Sequence, residues 1–102
     1  MSWPADADGD VFRSLEADGF DFGAEALIDF NVEVLDPEQM GDAIDAAITL
    51  YPDAGIGEED TYFVVQLKAR LTYDLVMQVQ QKLTAATAPF TGKCESWGVL
   101  SD

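Results

Sequence analysis

The sequence predicts an α+β fold in which a βαββαβ run folds two helices onto one face of an antiparallel four-stranded sheet, with one additional N-terminal helix. Three observations predict it. Residues 27–35 and 61–71 alternate apolar and polar side chains with the period of a half-buried strand. The stretches after Asp36-Pro37 and after Thr72 repeat apolar residues at helical spacing behind capping residues. The chain has 102 residues, 48% of them hydrophobic, with no internal repeat and no Pro, Ser or Gly linker. That length supports one core without disulfides or metal, so a single domain over residues 1–102 is expected, with residues 1–7 a flexible or extended N-terminus.

The elements follow in order. Asp8 or Asp10 is placed to cap a short helix whose Val11, Phe12 and Leu15 share one face, and Gly19 supplies a left-handed stop. Phe20 and Phe22 anchor the exit. In the first strand Ile28, Phe30, Val32 and Val34 fall on one side, and Asp29, Asn31 and Glu33 on the other. Asp36 and Pro37 open the next helix, with Gln39 at the capping-box position and Met40, Ala43, Ile44, Ala47, Ile48 and Tyr51 as its apolar stripe. Pro52 closes it. Residues 53–60 carry two glycines and four acids, which leaves room for a short edge strand and a turn. In the second alternating stretch Phe63, Val65, Leu67, Ala69 and Leu71 face the core while Tyr62, Val64, Gln66, Lys68 and Arg70 point away. Thr72 caps a helix with Asp74 at its positive end, and Leu75, Val76, Val79, Leu83 and Ala86 form the buried stripe up to Pro89. Residues 92–99 make a last strand containing Trp97. In this arrangement the first and third strands are neighbours, and Asp29 and Glu33 are expected across from Lys68 and Arg70.

Charge divides the chain unevenly. Twenty Asp and Glu against five Lys and Arg give a net −15, and no His titrates near neutrality. Residues 1–60 hold 17 of the acids and one base, Arg13. Direct binding to a phosphate backbone is disfavoured by this balance. The longest apolar run, residues 62–65, is far below a membrane span or a signal-peptide core, so neither membrane insertion nor export is signalled. The lone Cys94 cannot form an internal disulfide, which fits a reducing cytoplasm.

The chemical inventory points to binding rather than catalysis. No catalytic residue, cofactor site or metal site is assigned: there is no nucleophile–base pair, and Cys94 reads as a buried or inert thiol. Asp6, Asp8 and Asp10 alternate like the start of a calcium loop, but counting from Asp6 puts Val11 at the turn-glycine position and Ala17 at the bidentate-glutamate position. Helix capping and solubility account for them. Gly55 and Gly57 are followed by Glu58, Glu59 and Asp60, which would repel a phosphate. What remains suits a protein partner: an acidic flank, an edge strand, and an open sheet face with Val64 and two aromatics that read equally well another way, Tyr62 as a strand former and Trp97 as a residue closing the core near the C-terminus.

The run Leu15-Glu16-Ala17-Asp18-Gly19-Phe20-Asp21, the alternating strand and helix after it, and the closing Ser96-Trp97-Gly98 together resemble the RraB family, bacterial protein regulators of ribonuclease E. The family's terminal signature is Gly-Trp-Gly, and Ser96 stands at its first position. Within that likeness Leu15, Asp18, Gly19, Trp97 and Gly98 are the signature residues. The resemblance implies a ferredoxin-like fold and a non-catalytic regulator that binds and inhibits ribonuclease E, without a cofactor. The acidity agrees, because ribonuclease assemblies contain basic segments that a negative domain engages by charge. The expected contact residues are Asp6, Asp8, Asp10, Asp18, Asp42 and Asp45, with Tyr62 and Trp97, and affinity is expected to fall as salt rises. Two other readings stay open: an acidic or immunity-type binding module of the same fold with a different protein partner, and a small-ligand binder or enzyme using the open sheet, which a deep pocket of convergent polar groups would favour.

Overall fold

Asp6 starts the first helix, ahead of the caps expected at Asp8 or Asp10. Its backbone is extended (φ −134°, ψ 179°) and its Oδ1 accepts the Gly9 N–H at 2.7 Å, which fixes helix α1 as Ala7–Ala17. The computed structural model describes residues 6–99, apart from the side chains of Ala7 and Glu95. Of the N-terminus expected to be flexible or extended, Asp6 and Ala7 thus belong to the helix, and residues 1–5 lie outside the described residues. The stop is as expected. Gly19 adopts φ +80°, and the amides of Gly19 and Phe20 donate to the carbonyls of Glu16 and Leu15 at 3.1 and 3.0 Å. These are the two bonds of a Schellman cap, with Leu15 and Phe20 as its apolar pair.

Strand β1 runs Glu25–Val34, two residues earlier than the alternation suggests, and Ile28, Phe30, Val32 and Val34 are its buried face. A 3-10 turn, Pro37–Gln39, precedes helix α2, Met40–Leu50. Asp36 caps that turn by accepting the Glu38 N–H at 3.0 Å, but no capping box closes behind it. The Asp36 N–H that Gln39 was expected to take donates instead to Thr91 Oγ1 at 3.0 Å. Met40, Ala43 and Ala47 are buried, whereas Ile48 in the expected stripe is 40% exposed: it sits about 100° around the helix from the fully buried Ala47, at the margin of the buried face.

Strand β2, Gly55–Glu58, and strand β3, Tyr62–Arg70, form a hairpin closed by the Glu59 N–H donating to the Tyr62 carbonyl at 2.9 Å. Thr72 caps helix α3, Tyr73–Thr87, by accepting the Leu75 N–H at 3.0 Å. Pro89 lies inside a second 3-10 turn, Ala88–Phe90, and Thr91 at φ +61° hands the chain to strand β4, Gly92–Val99. The apolar period missed one member of α3's buried face. Thr87 is fully buried, its hydroxyl satisfied by donation to the Leu83 carbonyl at 2.6 Å.

The four strands order β2-β3-β1-β4, with every neighbouring pair antiparallel. The first and third strands are therefore adjacent, but not in the register expected from charge. Asp29 lies opposite Gln66 and Glu33 opposite Tyr62; the one opposite-charge pair across β1 and β3 is Glu25 with Arg70. Alternation assigns a residue to a face, and the same face is kept by any even shift, so periodicity leaves the partner undetermined. Phe12 joins Ile28, Phe30, Phe63, Val65, Val76, Val79 and Leu83 in one core between the sheet and the helices. The other face of the sheet is left open. No helix among the described residues is long and apolar enough to cross a membrane.

Candidate functional site

The acids at the start of α1 are held by the rest of the fold. Asp6 Oδ2 accepts the Tyr73 hydroxyl at 2.6 Å. Asp8 accepts the Trp97 indole N–H through Oδ1 at 2.8 Å and the Gln80 amide through Oδ2 at 3.2 Å. Two carboxylates at the N-cap and in the first turn, where the macrodipole is positive, thus fasten α1 to α3 and β4. Beneath them Phe12 packs against Phe22, Tyr73 and Trp97, with ring centroids 6.0, 6.0 and 5.4 Å away. Asp10 pairs with Arg13 inside α1. Tyr73 and Gln80 were not singled out from the sequence; a tyrosine beside the Thr72 cap was their one local signal.

The hydroxyl bond leaves a mark on both partners. The Tyr73 hydroxyl and the Gly9 amide hold the Asp6 carboxyl below its ordinary value. Donation to Asp6, then desolvation and the negative charges of Asp6, Asp8 and Asp74, push the Tyr73 hydroxyl up to about 12 from 10.0. The folded chain keeps this proton to higher pH than the unfolded chain, so its stabilisation is intact below pH 10 and is lost as pH rises through about 12. In urea titrations across that window, Tyr73→Phe is expected to remove part of the alkaline decline of the midpoint. An unchanged slope would contradict the bond.

The sequence leaves Trp97 open between the exposed sheet face and the core, and the structure turns it to the core side. In β4 Cys94 pairs with Val32 and Ser96 with Asn31, so one extra residue, Glu95, forms a bulge. The bulge shifts the alternation by one, which puts Ser96 outward opposite Asn31, whose side-chain amide donates to Ser96 Oγ at 2.9 Å, and Trp97 inward opposite Phe30. Gly98 follows outward, opposite Asp29. The signature residues Leu15, Gly19 and Trp97 therefore serve the placement of α1, while Asp18 is its exposed C-cap.

Cys94 is buried, and burial first, with the charge of Asp8 second, pushes its thiol up to about 12. It is a neutral thiol at pH 7 and a poor nucleophile. It lines an open depression of about 410 Å³ with Asp8, Met77, Gln80, Thr84 and Ala85. Among the described residues no three acidic or sulfur side chains converge as a metal-holding group.

The charges separate by face. On the open side of the sheet, β1 presents Glu25, Asp29 and Glu33, while β3 and β4 present Lys68, Arg70 and Lys93. These balance, so the excess of −15 is carried elsewhere, by the helices, the connections and the termini. Asp42 and Asp45 are exposed on α2, and α3 lies between them and the acids of α1. Tyr62 is 38% exposed on the balanced face, at a shallow depression of about 520 Å³ that it shares with Asn31, Glu33, Thr61 and Ser96. The eight expected contact residues thus do not form one patch: six acids lie with the helices, Tyr62 is on the opposite side, and Trp97 is half-buried between α1 and the sheet.

Comparison with known proteins adds one finding. The sequence model of the family RraB, Regulator of ribonuclease activity B, matches residues 5–99, nearly the whole chain. No curated protein and no solved structure matches it.

Proposed function

The chain belongs to the RraB family of ribonuclease regulators, and from that premise we propose that it is a non-catalytic, cytoplasmic protein that binds ribonuclease E and lowers its activity. The family match carries the proposal. In this reading the chain is one RraB-like domain, its strand order β2-β3-β1-β4 and two sheet-covering helices being those of a ferredoxin-like unit to which α1 is added. The chain acts through protein contact, without a cofactor and without touching RNA.

The charge distribution supports the manner of binding. A helical side that holds the acidic surplus steers a basic segment of the partner toward itself, and exposed charges at that distance are screened by salt. Asp18, Asp42 and Asp45 are exposed and make no described side-chain contact that the fold depends on, which makes them the residues to neutralise. Asp6 and Asp8 are not, since their loss would also release α1.

The test is cleavage of a fluorogenic RNA by purified ribonuclease E with the full chain added, alongside binding measured at rising salt. Inhibition is expected, with affinity falling roughly tenfold or more from low to physiological ionic strength. The Asp18→Asn, Asp42→Asn and Asp45→Asn triple variant is expected to bind more weakly with an unchanged unfolding midpoint. Absence of inhibition rejects the ribonuclease, and salt-independent affinity rejects the electrostatic contact.

A further inference from the structure

The free edge of the sheet at β2 is unlike the one at β4. In the β2–β3 hairpin the Glu59 N–H bonds the Tyr62 carbonyl, and antiparallel bonding alternates from there. Gly57 and Gly55 therefore spend their backbone groups on Val64 and Gln66, while Ile56 and Glu58 turn their N–H and C=O outward. Those groups form an unbroken four-residue template. The edge of β4, by contrast, is interrupted by its bulge, one of the devices that blunt an edge against pairing.

Side chains around β2 favour one kind of visitor. On the open face Gly55 and Gly57 present no side chain, and the floor beside them is a depression of about 280 Å³ lined by Val64, Gln66 and Asp29. A strand laid along the edge can send long side chains across that floor. Asp53, Glu58, Glu59 and Asp60 flank the strand, all exposed, and residues 53–60 contain no base. A second copy pairing there antiparallel would bring two such acidic ends together, which is repulsive. A cationic strand meets the same backbone template with attraction.

We infer that the β2 edge receives an extended, Lys- or Arg-bearing polypeptide segment as an added strand. Backbone bonds to Ile56 and Glu58 supply the register, and the flanking carboxylates select positive charge. The inference rests on the reading that the partner is a basic protein, and it names where on this chain a segment of that partner seats.

The experiment uses the full chain and a fluorescein-labelled peptide of alternating lysine and valine, followed by anisotropy and by amide chemical shifts. The control is the same peptide N-methylated at alternate residues, which keeps the charge and removes the donors. Binding is expected with the largest shifts at Ile56 and Glu58, and with affinity at least roughly tenfold weaker for the N-methylated peptide. Glu58→Pro removes one outward N–H at an edge position that tolerates proline, and is expected to weaken binding as strongly. Glu58→Gln removes the charge alone and is expected to cost about threefold or less. Equal binding of both peptides, equal behaviour of the two variants, shifts centred on β4 or the helices, or no binding would each overturn the inference. If wild-type chain inhibits ribonuclease E and Glu58→Pro inhibits it equally, the edge is not the seat although the regulator reading stands. If wild-type chain does not inhibit, that reading fails and the peptide result still decides the edge.

Discussion

Replacing Gly92 with alanine is expected to destabilise the fold by about 2–4 kcal/mol, in the upper part of what overpacking usually costs or above it. A Cβ at residue 92 would lie 2.5 Å from Thr87 Cβ, 2.6 Å from Thr87 Oγ1 and 3.1 Å from the Thr87 carbonyl oxygen. None of these atoms has room to yield. Thr87 is fully buried and tied to Leu83, and only the tight 88–91 connection separates it from β4. Urea titration should show a lower midpoint with an unchanged slope. Adding Thr87→Ala should recover little, because the Cβ contact at 2.5 Å survives that change. Gly98→Ala is the control: a Cβ there meets nothing within 4 Å, and its midpoint should move by no more than about 0.5 kcal/mol equivalent. A Gly92→Ala midpoint equal to that of Gly98→Ala would contradict the close approach.

Phe12→Ala is expected to cost about 3–5 kcal/mol, a large share of the stability of a domain this size. Phe12 is fully buried and is the residue through which α1 enters the core. Truncation leaves a void among Phe22, Tyr73 and Trp97. It also loosens the base on which the Asp8–Trp97 and Asp6–Tyr73 bonds rest. The melting temperature should fall by more than about 10 °C. The emission of Trp97, read as the difference from a Trp97→Phe chain, should shift to the red as its indole loses cover. A variant that keeps both the melting temperature and the emission would show α1 to be an accessory rather than part of the core.

The second result bears on the position of α1. The motif that carries the family resemblance at this end of the chain is a helix stop with an apolar brace, Leu15 and Phe20 around the left-handed Gly19. Its counterpart at the other end, Trp97, is the indole that Asp8 holds. Two short signatures 80 residues apart are thus both devices for seating one acidic helix. The carboxylates at the start of α1 are part of that seating. Asp6 and Asp8 fasten the helix to α3, and Asp8 also to β4.

Much of this protein was legible in its residues alone. The order of the elements, the buried faces of β1 and β3, the caps at Asp36 and Thr72, the stop at Gly19 and the edge strand at β2 all rest on interactions within about five residues or on a period of two or 3.6. Such signals are complete in a short window of sequence. The charge excess is likewise a property of composition.

Tertiary structure decided the rest. Which residue of β3 opposes Asp29 depends on how two strands are packed, because every even shift preserves the same alternation. The bulge at Glu95 reverses the faces of Ser96 and Trp97, and nothing in the local pattern marks it, since the inserted residue is justified only by what Trp97 finds on the far side: Phe12 and the carboxylate of Asp8, 89 positions away. The separation of charge is decided in the same way. Composition sets the total at −15, but pairing β1 with β3 and β4 brings three bases against three acids on the open sheet and so leaves the surplus to the other surfaces.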